Sequence, residues 1–166
     1  MNWFLMKWLS IFALLVLTAC ANPPKPVSTA AAPAWSGKLS ITTPTQQTTA
    51  GFTLTGDPLA GQLDLFTPLG GKAAQVTWGA GFATITDGKM GRMFPDLATA
   101  LREVANVDIP ISNLFNWLQG KKVNEDKALE TSMGWEADLT RLEQGRITAV
   151  RLQPLPRIEL RVVLEQ

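Results

Sequence analysis

The chain has 166 residues, with 15 Lys and Arg against 14 Asp and Glu, a single Cys and no His. The missing His and the single Cys exclude the usual zinc sites and nucleophiles of the Ser-His or Cys-His type. The balanced charge leaves no basic stripe for a phosphate backbone, so we expect no nucleic-acid partner. Catalysis by carboxylates and the binding of hard metals stay open.

The first 19 residues have the three parts of a secretory signal: a basic start, a short apolar core and a small-residue cleavage site. Lys7 is their only charge, and the small residues Thr18 and Ala19 follow the aliphatic run. Cys20 comes next, so the segment resembles the lipobox of bacterial lipoproteins, in which this cysteine becomes the acylated first residue. We therefore predict a lipoprotein signal peptide over residues 1–19 and a lipid anchor at Cys20.

Two alternatives to lipidation are an uncleaved transmembrane anchor and a plain signal peptide with an incidental cysteine. The apolar core is shorter than the roughly 20 residues that a spanning helix needs, and a lone cysteine has no disulfide partner. Both alternatives fit less well than the lipobox. In many Gram-negative bacteria an Asp after the acylated cysteine retains a lipoprotein in the inner membrane. Ala21 stands here, which favours the periplasmic face of the outer membrane.

A proline-rich stretch separates this signal from the folded part. Residues 21–34 contain four prolines among Ala, Ser and Thr, a composition that cannot bury enough apolar surface to fold. We therefore predict a lipidated tether over residues 20–34 and one folded domain over residues 35–166. Because Lys7 leaves with the signal, the mature chain carries 14 Lys and Arg against 14 Asp and Glu.

The first half of the folded part predicts antiparallel strands. From residue 35 to residue 94, apolar and polar residues alternate with a period of two, interrupted by Gly, Pro, Thr and Asp. Each strand has one apolar and one polar face, as a curved sheet around an apolar interior requires. The strands include residues 36–41, 52–55, 62–65, 75–78 and 83–85, the last of which precedes a turn at Asp87-Gly88.

The pattern changes to helical spacing after Pro95, with Asp96 as the N-cap of a first helix. A second short helix is predicted to end at Gly120, and residues 121–131 are polar and predict a loop. Strands resume over residues 135–139, 147–152 and 158–164. The order of strands, helices and strands predicts an α+β domain in which two helices cover the apolar face of one sheet. The apolar positions of the helices are Leu97, Ala100, Leu101 and Val104, then Ile111, Leu114, Phe115 and Leu118.

One turn places an apolar residue where folding does not require it. Pro68 and Gly70, with the glycine that follows, specify a turn between two strands, so Leu69 should lie at a projecting tip. A single exposed leucine is common in folded proteins and needs no function. The functional reading is a finger that enters lipid or contacts a partner.

Several ordered motifs resemble the LolB family of outer-membrane lipoprotein receptors. They are the lipobox and residues 35–40 (WSGKLS), 63–71 (LDLFTPLGG), 109–120 (IPISNLFNWLQG), 134–139 (GWEADL) and 157–165. The resemblance covers essentially the whole folded part.

This resemblance implies a strongly curved antiparallel sheet, an incomplete β-barrel, that encloses an apolar cavity beneath a helical lid. It implies a monomer that accepts acyl chains of lipoproteins from the periplasmic carrier LolA and delivers them into the outer membrane, with no cofactor, metal or catalytic residue. It assigns membrane insertion to the loop with Pro68, Leu69 and Gly70.

No motif marks the cavity, so its candidates come from the alternation and the helical spacing alone. The other reading for each candidate is an ordinary close-packed core. The candidates are Leu39, Ile41, Phe52, Leu54, Leu63, Leu65, Trp78, Leu101, Phe115, Trp117 and Leu118.

Two other classes compete with a transfer receptor. The first is a membrane-tethered binding or scaffold lipoprotein with a solid core, which transfers nothing. The second is a small lipid-modifying enzyme that uses carboxylates such as Asp57, Asp64 or Asp87. Asp57 precedes a proline and Asp87 a glycine, so both are more simply turn residues.

Overall fold

Ten β-strands and two α-helices form the part of the chain that the computed structural model describes, residues 33–88, 90–121, 129–132 and 134–165. These residues belong to one compact unit. The predicted signal peptide, Cys20 and nearly all of the tether lie outside them. The elements are β1 (Ala34–Thr42), β2 (Gln47–Gly56), β3 (Gly61–Phe66), β4 (Lys72–Gly79), β5 (Phe82–Asp87), β6 (Met90–Phe94), α1 (Leu97–Ala105), α2 (Ile111–Leu118), β7 (Leu129–Ser132), β8 (Trp135–Asp138), β9 (Arg146–Arg151) and β10 (Ile158–Leu164).

All ten strands belong to one antiparallel sheet in the order β6-β5-β4-β3-β2-β1-β10-β9-β8-β7. The first strand pairs with both β2 and β10, so the two ends of the domain are neighbours. The edge strands β6 and β7 do not pair with each other, and the sheet is open. The predicted α+β class, with an antiparallel sheet and two helices, is confirmed.

The antiparallel pairing places every connection at one of two ends of the sheet. Strands β1, β3, β5, β7 and β9 all run in one direction, and the even-numbered strands run in the other. We call the end at which β1 begins the proximal rim; it carries the turns 57–60 and 80–81. The opposite end is the distal rim, which carries the connections 43–46, 67–71 and 152–157.

Alternation along the strands builds the core. Inward side chains such as Phe52, Val76 and Ile85 are buried, while their neighbours in sequence face outward. Helix α1 packs on β4, β5 and β6, and α2 adds Phe115 and Leu118 to the same cluster. The helices therefore cover the apolar face of the sheet, as the sequence predicts.

The start of α1 and the end of α2 have local causes that are visible in the sequence. The Asp96 carboxylate accepts a hydrogen bond from the backbone N–H of Thr99 at 2.7 Å, which confirms the predicted N-cap of α1. After α2, Gly120 has φ +67°. The N–H groups of Gly120 and Lys121 donate to the carbonyls of Trp117 and Asn116 and close the helix in a Schellman motif. Neither helix is both long and apolar enough to span a bilayer.

A glycine allows β1 to approach β10 closely. The φ of Gly37 is +156°, and a Cβ atom at this position would overlap the carbonyl oxygen of Val163. This backbone contact explains why a residue without a side chain stands at this position of β1.

Two strands differ from the sequence prediction. No strand is predicted from the sequence over residues 90–94, where the structure has the edge strand β6. The side chains of Met90, Arg92 and Met93 are all exposed there, so this strand lacks the alternation of apolar and polar faces that marks the others. Strand β7 occupies Leu129–Ser132, so the prediction of a loop through residue 131 is wrong for its last three residues. Four strands therefore follow the helices instead of the three predicted. The peptide bonds Gln153–Pro154 and Leu155–Pro156 in the last connection are cis.

Candidate functional site

An apolar pocket lies between the inner face of the sheet and the two helices. Its volume is about 130 Å³ and its surface is wholly apolar. An enclosed apolar cavity of about this volume holds a benzene-sized ligand. Its walls are Leu39, Ile41, Thr48, Ala50, Phe52, Leu54, Leu63, Leu65, Trp78, Leu160 and Val162 from the sheet, with Leu97, Leu101, Val104, Ala105, Ile109, Ile111, Leu114, Phe115 and Leu118 from the helical segment.

The structure brings most of the sequence-predicted cavity candidates to this pocket. Trp117 is the exception: it is fully buried but does not line the pocket, and its indole Nε1 has no hydrogen-bond partner among the described residues. Two helical positions separate it from Phe115 by about 200° around the axis, so the two rings face different sides of α2. The ten candidates that line the pocket are Leu39, Ile41, Phe52, Leu54, Leu63, Leu65, Trp78, Leu101, Phe115 and Leu118.

Aromatic contacts hold α2 against the sheet at the deep end of the pocket. The Phe115 ring meets Trp35 edge-on at 5.9 Å between centroids and Trp78 at 6.3 Å. The indole N–H of Trp78 donates to the carbonyl of Asp57 at 2.9 Å, so this buried ring has its polar group satisfied. These rings form an aromatic cluster at the base of the pocket.

The pocket becomes more open toward the distal rim. Along β2, Leu54 and Phe52 are buried, Ala50 is half-buried, and Thr48, near the distal end, is exposed. The pocket-lining residues of β1 and β3 are half-buried. A ligand entering the pocket would therefore approach from the side of the sheet that carries the hairpin 67–71.

That hairpin projects its leucine into solvent. The N–H of Gly70 donates to the carbonyl of Thr67 at 2.9 Å, and the N–H of Thr67 donates to the carbonyl of Gly71 at 2.8 Å. Gly70 has φ +86°, a conformation that side chains disfavour. Leu69 is 99% exposed. The tight turn thus presents an apolar side chain without any packing partner.

Asp64 ties the base of this hairpin together. Its carboxylate accepts hydrogen bonds from Lys72 Nζ at 2.9 Å, Gln75 Nε2 at 2.7 Å and Gln62 Nε2 at 2.9 Å. Burial raises the pKa of Asp64, but these three donors and the charge of Lys72 outweigh it and hold the pKa below its ordinary value. The carboxylate thus connects both strands that carry Leu69.

We expect an Asp64→Asn variant to show a weaker loss of stability in acid than the wild type. Because the folded-state pKa of Asp64 is lowered, its contribution is present above about pH 4 and is lost as pH falls through the folded pKa. Urea unfolding at pH 7 and pH 3 measures the difference. Asp96 and Asp138, whose pKa values are also lowered, keep part of the acid sensitivity in the variant. Equal acid sensitivity in the two proteins would contradict the assignment.

The carboxylates considered for catalysis have structural partners or turn positions. Asp57 accepts the backbone N–H groups of Leu59 and Ala60 at 2.7 and 3.1 Å, as a turn residue does. Asp64 is held as described above, and Asp87 ends β5 before the turn at Gly88. Within the described ranges, no three His, Cys, Asp or Glu side chains stand close enough together to hold a metal ion.

Comparison with protein-family models identifies the family to which the chain is similar. The family model described as "Outer membrane lipoprotein LolB" matches residues 34–156 of the chain. The matched range includes the hairpin with Leu69, both helices and every pocket-lining residue except Leu160 and Val162. No curated protein matches the chain.

Proposed function

Since the chain belongs to the LolB family, we propose that it accepts acylated lipoproteins from the periplasmic carrier LolA and inserts them in the outer membrane. Members of this family are outer-membrane lipoproteins that act as lipoprotein receptors, and the family is not a known enzyme family. The observation that carries the proposal is the wholly apolar pocket between the sheet and the helices. Acyl chains are the part of a lipoprotein that such a pocket suits.

In this proposal the protein is itself a lipid-anchored monomer on the periplasmic face of the outer membrane. Residues 1–19 are removed, Cys20 carries the lipid, and residues 20–34 are the tether. Since two or more acyl chains give stable anchoring, the protein would stay on the membrane between transfer events. The tether keeps the pocket near the bilayer that receives the cargo.

Transfer between two apolar sites needs no nucleotide. Each methylene group removed from water contributes about 0.8 kcal/mol, so burying two more methylenes in the receptor than in the carrier favours transfer about tenfold. Direction would follow from the better fit of the acyl chains in the pocket of this protein. The free energy difference between the two sites sets the ratio of cargo on receptor and carrier.

The helices serve as a lid in this mechanism. The pocket of about 130 Å³ suits a benzene-sized group, and a lipoprotein acyl chain is several times larger. Helices α1 and α2 must therefore move away from the sheet to admit it, and the sheet that they leave is the incomplete barrel that the LolB resemblance implies. Val104 on α1 is already 38% exposed where it lines the pocket.

Transfer from a loaded carrier tests the proposal. Purified carrier holding an acylated lipoprotein is mixed with the full lipidated protein in detergent micelles, without ATP. We expect the cargo to leave the carrier and to co-purify with this protein. Cargo that stays on the carrier would contradict the receptor function.

Probe displacement separates the receptor from a tethered scaffold protein. An apolar fluorescent probe bound to the protein should be displaced by palmitate if the pocket accepts acyl chains. A scaffold with a solid core would not bind the probe. Probe fluorescence that is unchanged by the protein would therefore favour the scaffold.

A further inference from the structure

A second leucine projects from the distal rim. Leu155 lies in the connection between β9 and β10 and is 75% exposed. It stands between Pro154 and Pro156, and proline fixes φ and so limits the entropy that an ordered tip loses. Leu69 likewise follows a proline in its hairpin. Both tips are therefore leucines presented on a restricted backbone.

The sheet places these two tips on the same rim. Strands β3 and β9 run in the same direction, and each leads into one of the two connections. Strands β2 and β1 lie between the two hairpins, so four strand spacings, about 19 Å, separate their centres along the sheet. Two contacts at this separation would hold the rim against a flat surface, whereas one contact would leave it free to pivot.

The charge pattern of the distal rim fits a phospholipid surface. The connections 43–46 and 67–71 contain no charged residue, and the only charged residue in 152–157 is Arg157. The connection between β5 and β6 on the same rim contributes Lys89, another cation.

A cation follows each tip: Lys72 after the first and Arg157 after the second, with side chains 50% and 62% exposed. Each also lies near a carboxylate, Asp64 at 2.9 Å from Lys72 and Glu159 at 3.7 Å from Arg157. Apolar tips beside long cationic side chains suit acyl chains beneath phosphate headgroups, since such cations keep their charge at the interface.

The tether is long enough for this orientation. It joins β1 at the proximal rim, and Cys20 and Pro33 are separated by 13 residues. A stretch of that length spans at most about 45 Å, whereas the nine residues of β1 rise about 30 Å. An anchor at Cys20 therefore permits the distal rim to reach the same bilayer.

We propose that Leu155 is a second membrane contact, which inserts in the phospholipid bilayer together with Leu69 and orients the open side of the pocket toward it. This inference rests on the proposed function, because it takes the bilayer as the surface that Leu69 contacts. It adds a contact that the hairpin 67–71 does not supply.

The test places a fluorescent label on each leucine in turn. Leu155→Cys, Leu69→Cys and Leu59→Cys variants of the full lipidated chain are labelled with bimane. They are reconstituted in phosphatidylethanolamine–phosphatidylglycerol vesicles that carry a nitroxide on the acyl chains. Leu59 is the matched control, since it also follows a proline in a turn and is 80% exposed, but lies on the proximal rim beside Asp57. The wild-type chain, whose only cysteine is Cys20, gives the labelling background.

We expect the label at position 155 to lose fluorescence to the nitroxide lipid about as strongly as the label at position 69, and the label at position 59 to keep its fluorescence. If the label at position 69 is quenched but the label at position 155 is quenched no more than the control label at position 59, the second contact is overturned and the proposed function stands. Absence of quenching at both 69 and 155 would overturn this inference together with the membrane insertion that the LolB resemblance assigns to the hairpin 67–71. Equal quenching at all three positions would also overturn it, because the rims would not differ.

Discussion

Replacing Leu69 with Glu is expected to slow delivery of lipoprotein into outer-membrane vesicles by about tenfold or more, while acceptance of cargo from the carrier stays unchanged. Full burial of a leucine side chain contributes about 1.5–3 kcal/mol, and 1.4 kcal/mol corresponds to a factor of ten. A carboxylate at the tip would oppose entry into the bilayer. Since Leu69 is 99% exposed and packs against nothing, the substitution should leave the fold intact.

A Leu59→Glu variant is the matched control for this experiment. It adds the same charge to an exposed leucine that follows a proline, but at the proximal rim. Delivery is followed by the amount of cargo that sediments with the vesicles, and unfolding in urea verifies the stability of both variants. A Leu69→Glu protein that delivers at the wild-type rate, or a Leu59→Glu protein that is equally slow, would refute the role given to the hairpin.

The two projecting leucines differ in how far the sequence could predict them. Pro68 and Gly70, between two alternating segments, mark a hairpin tip through local turn chemistry alone. Around Leu155 the prolines mark only a connection. Its place on the rim with Leu69 depends on the pairing of β10 with β1, which joins residues more than 110 positions apart. A local pattern carries no information about that pairing.

The pocket shows the same division between local and long-range information. Strand alternation and helical spacing predict which side chains face inward, and ten of the named candidates line the pocket. Leu160 and Val162 face inward by the same alternation, yet only the β1–β10 pairing brings them beside Leu39 and Ile41. The helices leave a void over these residues because the facing side chains do not fill the space between them. How side chains interdigitate cannot be deduced from the pattern of apolar residues along the sequence.

The burial gradient along β2 connects the pocket with the rim. Leu54 and Phe52 form a closed end near the aromatic cluster, and Thr48 lies at an exposed end near the distal rim. The uncharged connections, including the tip at Leu69, lie on that same rim. An acyl chain that leaves the open end would therefore emerge beside the residues proposed to contact the bilayer.

An Ala50→Phe variant is expected to lower the affinity for palmitate by at least about tenfold while keeping or raising the free energy of unfolding. Ala50 faces the pocket midway between its closed and open ends, and a cavity of about 130 Å³ accommodates a phenyl ring. The ring would displace several methylenes, each of which contributes about 0.8 kcal/mol, and loss of two of them already corresponds to a factor of ten. Filling a void adds packing contacts, so stability should not fall.

Thr49→Phe is the control for the Ala50→Phe experiment, because it adds the same ring one residue away on the opposite, exposed face of β2. Palmitate affinity is measured by displacement of the apolar probe, and stability by urea unfolding. The pocket predicts a loss of affinity for Ala50→Phe only. If Ala50→Phe binds palmitate as tightly as Thr49→Phe and the wild type, acyl chains bind elsewhere and the pocket is not the receptor site. If it unfolds more easily instead, the space beside Ala50 is already filled by the core.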